Sequence, residues 1–115
     1  MMNIEEVRLY CLSKEKTEES FPFDDETLVF KVNNKMYALL SLSGDARLSL
    51  KCNPEKALEL REYHPEITPG YHMNKEHWNT IALNGNLNNV LIKSLIDHSY
   101  DLIKQSSLLK KKKRT

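Results

Sequence analysis

The strongest constraint on the fold is a set of three β-type segments that lie close together in the chain. They are Thr27–Val32, Lys35–Leu42 and Arg47–Cys52. Asn33-Asn34 separates the first two segments, and asparagine tolerates the positive φ that a two-residue hairpin turn requires. Ser43-Gly44-Asp45 separates the second segment from the third. Because connections this short join adjacent antiparallel strands, the pattern predicts a three-stranded antiparallel meander.

A helix is predicted on each side of the meander. Asn3 followed three residues later by Glu6 has the pattern of a capping box, and apolar residues follow at helical spacing, which predicts a helix over residues 4–13. Asn53 is a good N-cap residue, and Pro54 follows it at the first helical position. The second helix is therefore expected to run to about residue 62.

The C-terminal part of the sequence predicts a hairpin and a long helix. Tyr71–Met73 and Trp78–Leu83 have the composition of two short strands joined around Asn74-Lys75. From about Asn88 to Ser106, apolar residues recur every three or four positions, which predicts one amphipathic helix.

The order of these elements predicts an α+β fold: helix, three-stranded antiparallel meander, helix, two-stranded hairpin and long C-terminal helix. A chain of 115 residues has the size of a single domain, which we place at residues 1–107. Residues 108–115 are expected to form a disordered polybasic tail because they contain the run Lys110–Arg114. Such a tail is either a weak polyanion-binding arm or a solvated end.

The segment between the first helix and the meander is acidic and polar. It contains Asp24, Asp25 and Glu26, and it is interrupted by Phe21-Pro22-Phe23. We expect this segment to be a connection whose two aromatic side chains fill an edge of the core.

The charge is unevenly distributed along the chain. The net charge of +1 includes five positive charges in residues 110–114, so residues 1–109 carry a net −4. A nucleic-acid-binding domain is usually basic as a whole. Any contact of this chain with nucleic acid must therefore depend on a local basic patch or on the tail.

The chain lacks the residue patterns of common metal and catalytic sites. Its cysteines and histidines are Cys11, Cys52, His64, His72, His77 and His98. None of them forms the close pairs, such as Cys-x2-Cys or His-x3-His, that hold zinc. There is no Gly-x-Ser-x-Gly motif, and the three glycines do not form a phosphate-binding loop. We expect no metal, no cofactor and no enzymatic activity.

The sequence also bears on location. The N-terminus has neither the basic region nor the apolar region of a secretory signal. No apolar stretch approaches the ~18 residues that span a bilayer. Two cysteines are too few for a disulfide framework. We expect a cytoplasmic protein without membrane contact, and a monomer.

One face of the meander is a candidate binding surface. In the third strand, Leu48 and Leu50 alternate with Arg47, Ser49 and Lys51, and alternate side chains of a strand point to opposite faces. The same alternation predicts a basic face composed of Lys31, Tyr37, Arg47, Ser49 and Lys51. Lysine and arginine pair with phosphates. The alternative is a solvated sheet face whose charges keep the domain soluble.

A second candidate surface is the predicted hairpin. Residues 71–80 contain the only tryptophan, two histidines and two asparagines. Tyrosine and tryptophan combine an apolar ring with a polar edge, which suits a binding surface. The alternative is a structural hairpin whose asparagines form turn hydrogen bonds.

Several runs of the sequence resemble one family of small bacterial proteins. They are Phe21-Pro22-Phe23, Thr27–Val32, Lys35–Leu39, Leu50-Lys51-Cys52-x-Pro54-Glu55, Leu60-Arg61-Glu62, Pro69–Lys75 with His77–Thr80, and Leu95-Ile96-Asp97-x-Ser99-Tyr100-Asp101-Leu102. In their order and number, these runs are similar to the MmcQ/YjbR family over about residues 3–105. The polybasic tail lies outside the resemblance.

The resemblance implies the α+β fold given above, which is similar to that of type III secretion chaperones. It also implies DNA binding, which is commonly ascribed to family members through a double-wing motif. It implies no catalytic residues.

Two functions are therefore expected. The first is non-enzymatic DNA binding, with phosphates contacted by the basic sheet face and the hairpin tips. The residues assigned to it are Lys31, Lys35, Arg47, Lys51, Tyr71, His72, Asn74, Lys75, His77 and Asn79. The alternative is a protein- or peptide-binding module, by analogy with secretion chaperones; the net −4 of residues 1–109 favours it.

Overall fold

A computed structural model describes the backbone of residues 2–70 and 73–114, with side chains up to Ser107. The elements are α1 (Ile4–Leu12), β1 (Glu18–Ser20), β2 (Thr27–Val32), β3 (Lys35–Ser41), β4 (Arg47–Lys51), α2 (Pro54–Tyr63), β5 (Ile67–Pro69), β6 (Trp78–Ala82) and α3 (Asn89–Arg114). The predicted α+β fold is confirmed. The predicted hairpin Tyr71–Met73 includes Tyr71 and His72, which lie outside the described residues.

The strands form a single antiparallel sheet in the order β1-β2-β3-β4-β6-β5. The predicted meander β2-β3-β4 is its centre. The turn between β2 and β3 has φ values of 52° at Asn33 and 65° at Asn34. These are the positive values for which asparagine was expected, and they direct β3 back along β2.

The strand before β6 lies earlier in the chain than the sequence pattern indicates. It is β5, Ile67–Pro69, which pairs with β6 so that Pro69 is opposite Asn79. A proline is tolerated here because β5 is an edge strand, where a missing N–H costs no ladder bond. Pro69 is therefore the last residue of β5.

The edge strand β1 was not expected from the sequence. Its residues Glu18–Ser20 contain no apolar side chain, and they pair with residues 29–31 of β2. The side chain of Glu19 accepts two hydrogen bonds from the Arg8 guanidinium of α1, at 2.9 and 2.7 Å. These hydrogen bonds raise the pKa of Arg8 and tie the edge strand to the first helix.

The helix starts agree with the sequence prediction. Asn3 and Glu6 form the capping box of α1. The Asn53 side chain accepts hydrogen bonds from the first turn of α2, with Pro54 at the first helical position. All three helices pack on the same face of the sheet, and one core cluster joins them to β2, β3, β4, β5 and β6.

The end of α3 differs from the prediction. We expected the helix to end near Ser106 and the basic tail to be disordered, but the backbone is helical to Arg114. No glycine or proline follows Gly85, and leucine, lysine and arginine are good helix formers.

Candidate functional site

The sheet has one face covered by the helices and one face that points away from them. In β4, Leu48 and Leu50 are buried in the core, whereas Arg47 is exposed and Ser49 and Lys51 are half-buried. This confirms the predicted alternation of the third strand. We call the surface away from the helices the open face. It is formed by Thr27, Lys31, Met36, Leu39, Ser41, Arg47, Ser49, Lys51, Trp78 and Thr80.

A β-bulge removes Tyr37 from the open face. The register between β2 and β3 shifts between Phe30 and Lys31: Phe30 is opposite Ala38, but Lys31 is opposite Met36. A bulge places two residues of one strand opposite a single residue of the other, which reverses the alternation of side chains beyond it. Tyr37 therefore joins Ala38 in the core, and the prediction that it shares a face with Lys31 is wrong.

The buried Tyr37 has a structural role. Its hydroxyl donates to the carbonyl oxygen of Cys11 at 3.1 Å and lies 2.9 Å from the Thr17 hydroxyl. Its ring meets that of Tyr100 edge to face at 5.2 Å. Burial raises the pKa of Tyr37. The side chain that takes its place on the open face is Met36, which strict alternation would put on the opposite face from Tyr37.

The strand register arranges the open face in three rows across the sheet. The first row contains Thr27, Ser41 and Arg47, and the second contains Leu39, Ser49 and Thr80. The third contains the pairs Lys31 with Met36 and Lys51 with Trp78. The positive charges therefore lie in the two outer rows, and the middle row is neutral.

A cavity of about 490 Å³ lies on the open face. Its apolar lining is Phe23, Met36, Leu39 and Met73, and its polar lining is Asp24, Thr27, Ser41, Arg47, Ser49 and Thr80. Ligand sites typically have this size and combine an apolar lining with a few polar groups. Val29 and Thr80 are buried although they belong to the same side of the sheet, so this face is not a flat solvated surface.

Two connections provide side chains to the cavity. Phe23 and Asp24 come from the connection before β2, and Met73 comes from the connection before β6. The expectation that Phe21 and Phe23 fill a core edge is wrong, because they are 48% and 64% exposed. The alternation rule applies only within strands, so it could not place either connection over the open face.

The polar groups of the cavity have defined partners. The Ser49 and Thr80 hydroxyls lie 3.0 Å apart. The Asp24 carboxylate accepts from the backbone N–H groups of Glu26 and Thr27, at 2.9 and 2.7 Å. These hydrogen bonds lower the pKa of Asp24. Asp24 is therefore an ionised group on the cavity wall at neutral pH.

The predicted site residues before β6 have mainly structural contacts. Asn74 Oδ1 accepts from the N–H groups of Glu76 and His77, at 2.9 and 3.1 Å. The Lys75 carbonyl oxygen accepts from Arg61 at 3.1 Å. Lys75 and His77 are exposed, and Lys35 is half-buried at the start of β3. The asparagine thus acts as the turn residue that the structural alternative described.

Asn79 is on the opposite side of the sheet from the open face. It is 3% exposed and opposite Leu50, which belongs to the core. Its Nδ2 donates to the carbonyl oxygen of Ala57 in α2 at 3.3 Å. The expectation that Asn79 contacts a ligand together with the basic residues is therefore wrong. A polar residue in a strand follows the alternation of that strand, and β6 directs Asn79 to the helices.

The cysteines are buried. Burial raises the pKa of the Cys11 thiol to about 12 and also raises that of Cys52. Both thiols are therefore protonated at neutral pH, which makes them poor nucleophiles. Within residues 2–70 and 73–107, no group of three or more His, Cys, Asp or Glu side chains could hold a metal ion.

None of the described helices is both long enough and apolar enough to cross a membrane. The longest, α3, carries charged side chains along its length.

Comparison with known proteins identifies relatives of the whole domain. The YjbR protein of Escherichia coli K12 is 36% identical over 100 residues, which cover 86% of this chain and 85% of that protein. The YbdF protein of Escherichia coli O157:H7 is 38% identical over 84 residues, covering 72% of this chain and 69% of that protein.

Two solved structures are similar to this chain over most of its length. A Deinococcus radiodurans protein with a DUF419 domain has a TM-score of 0.85 and 46% identity, and the match covers 90% of this chain and 79% of that one. A Pseudomonas syringae crystal structure has a TM-score of 0.79 and 37% identity, with 89% and 99% covered. The YjbR family model matches residues 12–102. The chain therefore belongs to the YjbR family.

Proposed function

We propose that this chain is a non-enzymatic binding module for protein segments, and that the open face is its binding surface. The observation that carries the proposal is the cavity of about 490 Å³ with four large apolar side chains beside Arg47. Methionines such as Met36 and Met73 are flexible and polarisable, and they suit surfaces that accept bulky apolar groups.

The charges favour a protein segment over a nucleic acid. Residues 1–109 carry a net −4, which opposes long-range attraction of a polyanion. Of the ten residues expected to contact DNA, Asn79 is buried in the core, and the Asn74 side chain is engaged in its own turn.

Selection of peptides from a random displayed library tests this proposal. The bait is the full chain, compared with a Ser49→Trp variant that fills the cavity and a Met36→Glu variant that places a charge in it. Circular dichroism confirms that each variant is folded. We expect peptides that bind the wild type and lose binding to both variants. Selection of no peptide, or of peptides that bind all three proteins equally, contradicts the proposal.

DNA binding is the second candidate, because Lys31, Arg47 and Lys51 share the open face. Three neutralised phosphates would give a slope of roughly −2.7 for log K against log salt on duplex DNA. A salt titration with the full chain and with an Arg47→Glu/Lys51→Glu variant measures this slope. If DNA is the ligand, the variant has weaker affinity and a shallower slope. Equal affinity of the two proteins removes the open face as a DNA site.

A further inference from the structure

The open face has positive charges at its two ends and a neutral centre. Arg47 is in the first row, Lys31 and Lys51 are in the third, and Leu39 and Ser49 are in the row between them. Arg47 and Lys51 are four residues apart on β4, and a strand rises ~3.3 Å per residue, so their backbones are separated by about 13 Å.

An extended peptide matches this spacing. In an extended chain, residues i, i+2 and i+4 point to the same side, and the first and last of them are also about 13 Å apart. Two acidic side chains at i and i+4 would reach the two charged rows, while residue i+2 would lie over the centre. We infer that the open face binds extended segments of the pattern acidic-x-apolar-x-acidic, an inference that rests on the proposed function.

The apolar residue of the segment has a defined place. Met36 and Leu39 from the sheet, with Phe23 and Met73 from the two connections, line the cavity. Phe23 is 64% exposed, so a bulky side chain seated here would remove its apolar surface from water. This burial gives affinity, and the two acidic residues give register and specificity.

A continuous polyanion fits the same surface less well. Nucleic-acid phosphates repeat along the whole strand, so some would lie over the neutral middle row. Placing a charge over Leu39 costs desolvation without a partner. The Asp24 carboxylate lies beside Thr27 of the first row and opposes any anion there, so it does not discriminate between the two ligands. The separated charges of the open face therefore favour a segment whose acidic residues flank an apolar one.

Three fluorescent heptapeptides with blocked termini test the pattern. The in-phase peptide is Ser-Asp-Thr-Phe-Thr-Asp-Ser. The shifted peptide, Ser-Thr-Asp-Phe-Asp-Thr-Ser, has the same composition but turns both acids away from the side of the phenylalanine. By fluorescence polarisation, we expect the in-phase peptide to bind roughly tenfold more tightly, since each exposed charge pair contributes up to about fivefold. Equal affinity of the two peptides overturns the inference.

The third peptide, Ser-Lys-Thr-Phe-Thr-Lys-Ser, provides a charge-swap test. An Arg47→Glu/Lys51→Glu variant should lose preference for the in-phase peptide and bind the lysine peptide instead. A Lys16→Glu/Lys56→Glu variant is the matched control: both lysines are exposed and lie outside the open face. It should keep the wild-type preference. A control variant that changes preference to the same extent shows that only net charge matters, and it overturns the inference.

The library selection separates this inference from the proposed function. If selected peptides require an unfilled cavity but lack the acidic-x-apolar-x-acidic pattern, and the in-phase peptide does not bind, the spacing is wrong and the binding surface stands. If the selected peptides are runs of acidic residues with no apolar residue, the inference is wrong, and the open face binds polyanions such as nucleic-acid phosphates. If nothing is selected, both proposals fail.

Discussion

The Ser99 hydroxyl of α3 donates a hydrogen bond to the carbonyl oxygen of Tyr37 in β3. The same oxygen atom of Ser99 accepts from the backbone N–H of Lys51 in β4 at 2.9 Å. The paired register of β3 and β4 stops at Ala38 opposite Leu50, so the fully buried hydroxyl continues the connection between the two strands beyond the bulge. A helix side chain thus satisfies backbone groups that the sheet leaves unpaired.

Ser99→Ala is expected to lower the free energy of unfolding by about 2–4 kcal/mol, because it leaves the part-buried Lys51 N–H and the buried Tyr37 carbonyl oxygen without partners. Ser94→Ala is the matched control on the same helix, since Ser94 is exposed and its hydroxyl donates to the Leu91 carbonyl oxygen one turn earlier. Its effect should be within about 0.5 kcal/mol. Urea denaturation measures both. Equal losses for the two variants would show that the bridge does not contribute to stability.

Tyr37→Phe is expected to lower stability by about 1–2 kcal/mol, since it removes the hydroxyl shared by Cys11 and Thr17 but keeps the ring against Tyr100. Tyr63→Phe is its control: Tyr63 is 73% exposed, so this substitution should change the melting temperature little. Thermal denaturation followed by circular dichroism compares them. An unchanged melting temperature for Tyr37→Phe would contradict the assignment of its hydroxyl to the core.

Gly70→Ala is expected to cost about 1–3 kcal/mol, because a Cβ at this position would lie 2.7 Å from the Trp78 Cβ and 3.0 Å from its carbonyl oxygen. Gly85→Ala should cost less: its Cβ meets Glu66 Cγ at 2.4 Å, and that side chain can rotate away. Gly70 also donates its N–H to the Trp78 carbonyl oxygen at 2.8 Å. Chemical denaturation should give a lower free energy of unfolding for Gly70→Ala than for Gly85→Ala. The reverse order would refute the packing of β5 on β6.

Acidification is expected to weaken the contact between α2 and α3. His98 Nε2 accepts a hydrogen bond from the N–H of Asn53 at 3.2 Å, and burial together with the positive charge of Lys56 lowers the pKa of His98 below its usual 6.5. The unfolded chain therefore binds a proton at a higher pH than the folded chain does. Stability should fall as the pH drops below about 6.5, through the lowered pKa.

His98→Gln keeps a hydrogen-bond acceptor but cannot titrate. Urea denaturation at pH 7.5 and 5.5 should show a smaller loss of stability for this variant than for the wild type. Because the other histidines are present in both proteins, the difference between the two losses of stability reports on His98 alone. Identical losses would mean that this histidine is not linked to folding.

Local patterns were sufficient to predict most of the fold. The alternation of Leu48 and Leu50 with Arg47, the turn asparagines and the helix caps all depend on neighbouring residues, and the structure confirms them. Where the outcome depends on which strands pair, no local pattern indicates it. The strand β1 exists because β2 offers an edge and Arg8 binds Glu19, although its own composition does not favour a strand.

The candidate site was predicted only in part. The basic residues Lys31, Arg47 and Lys51 do share one face, but the bulge exchanges Tyr37 for Met36 on it. A bulge depends on how two strands pair, so strict alternation within one strand could not reveal it. Phe23 and Met73 lie on connections whose path over the sheet depends on tertiary packing.

The division of β4 between two faces has an evolutionary consequence. Leu48 and Leu50 serve folding, while Arg47 and Lys51, which flank them in the strand, contribute little to the core. Selection can therefore change the charges and shape of the open face one residue at a time, with little loss of stability. Exposed strand positions such as these can therefore differ between this chain and relatives that share 36% of its aligned residues without a change of architecture.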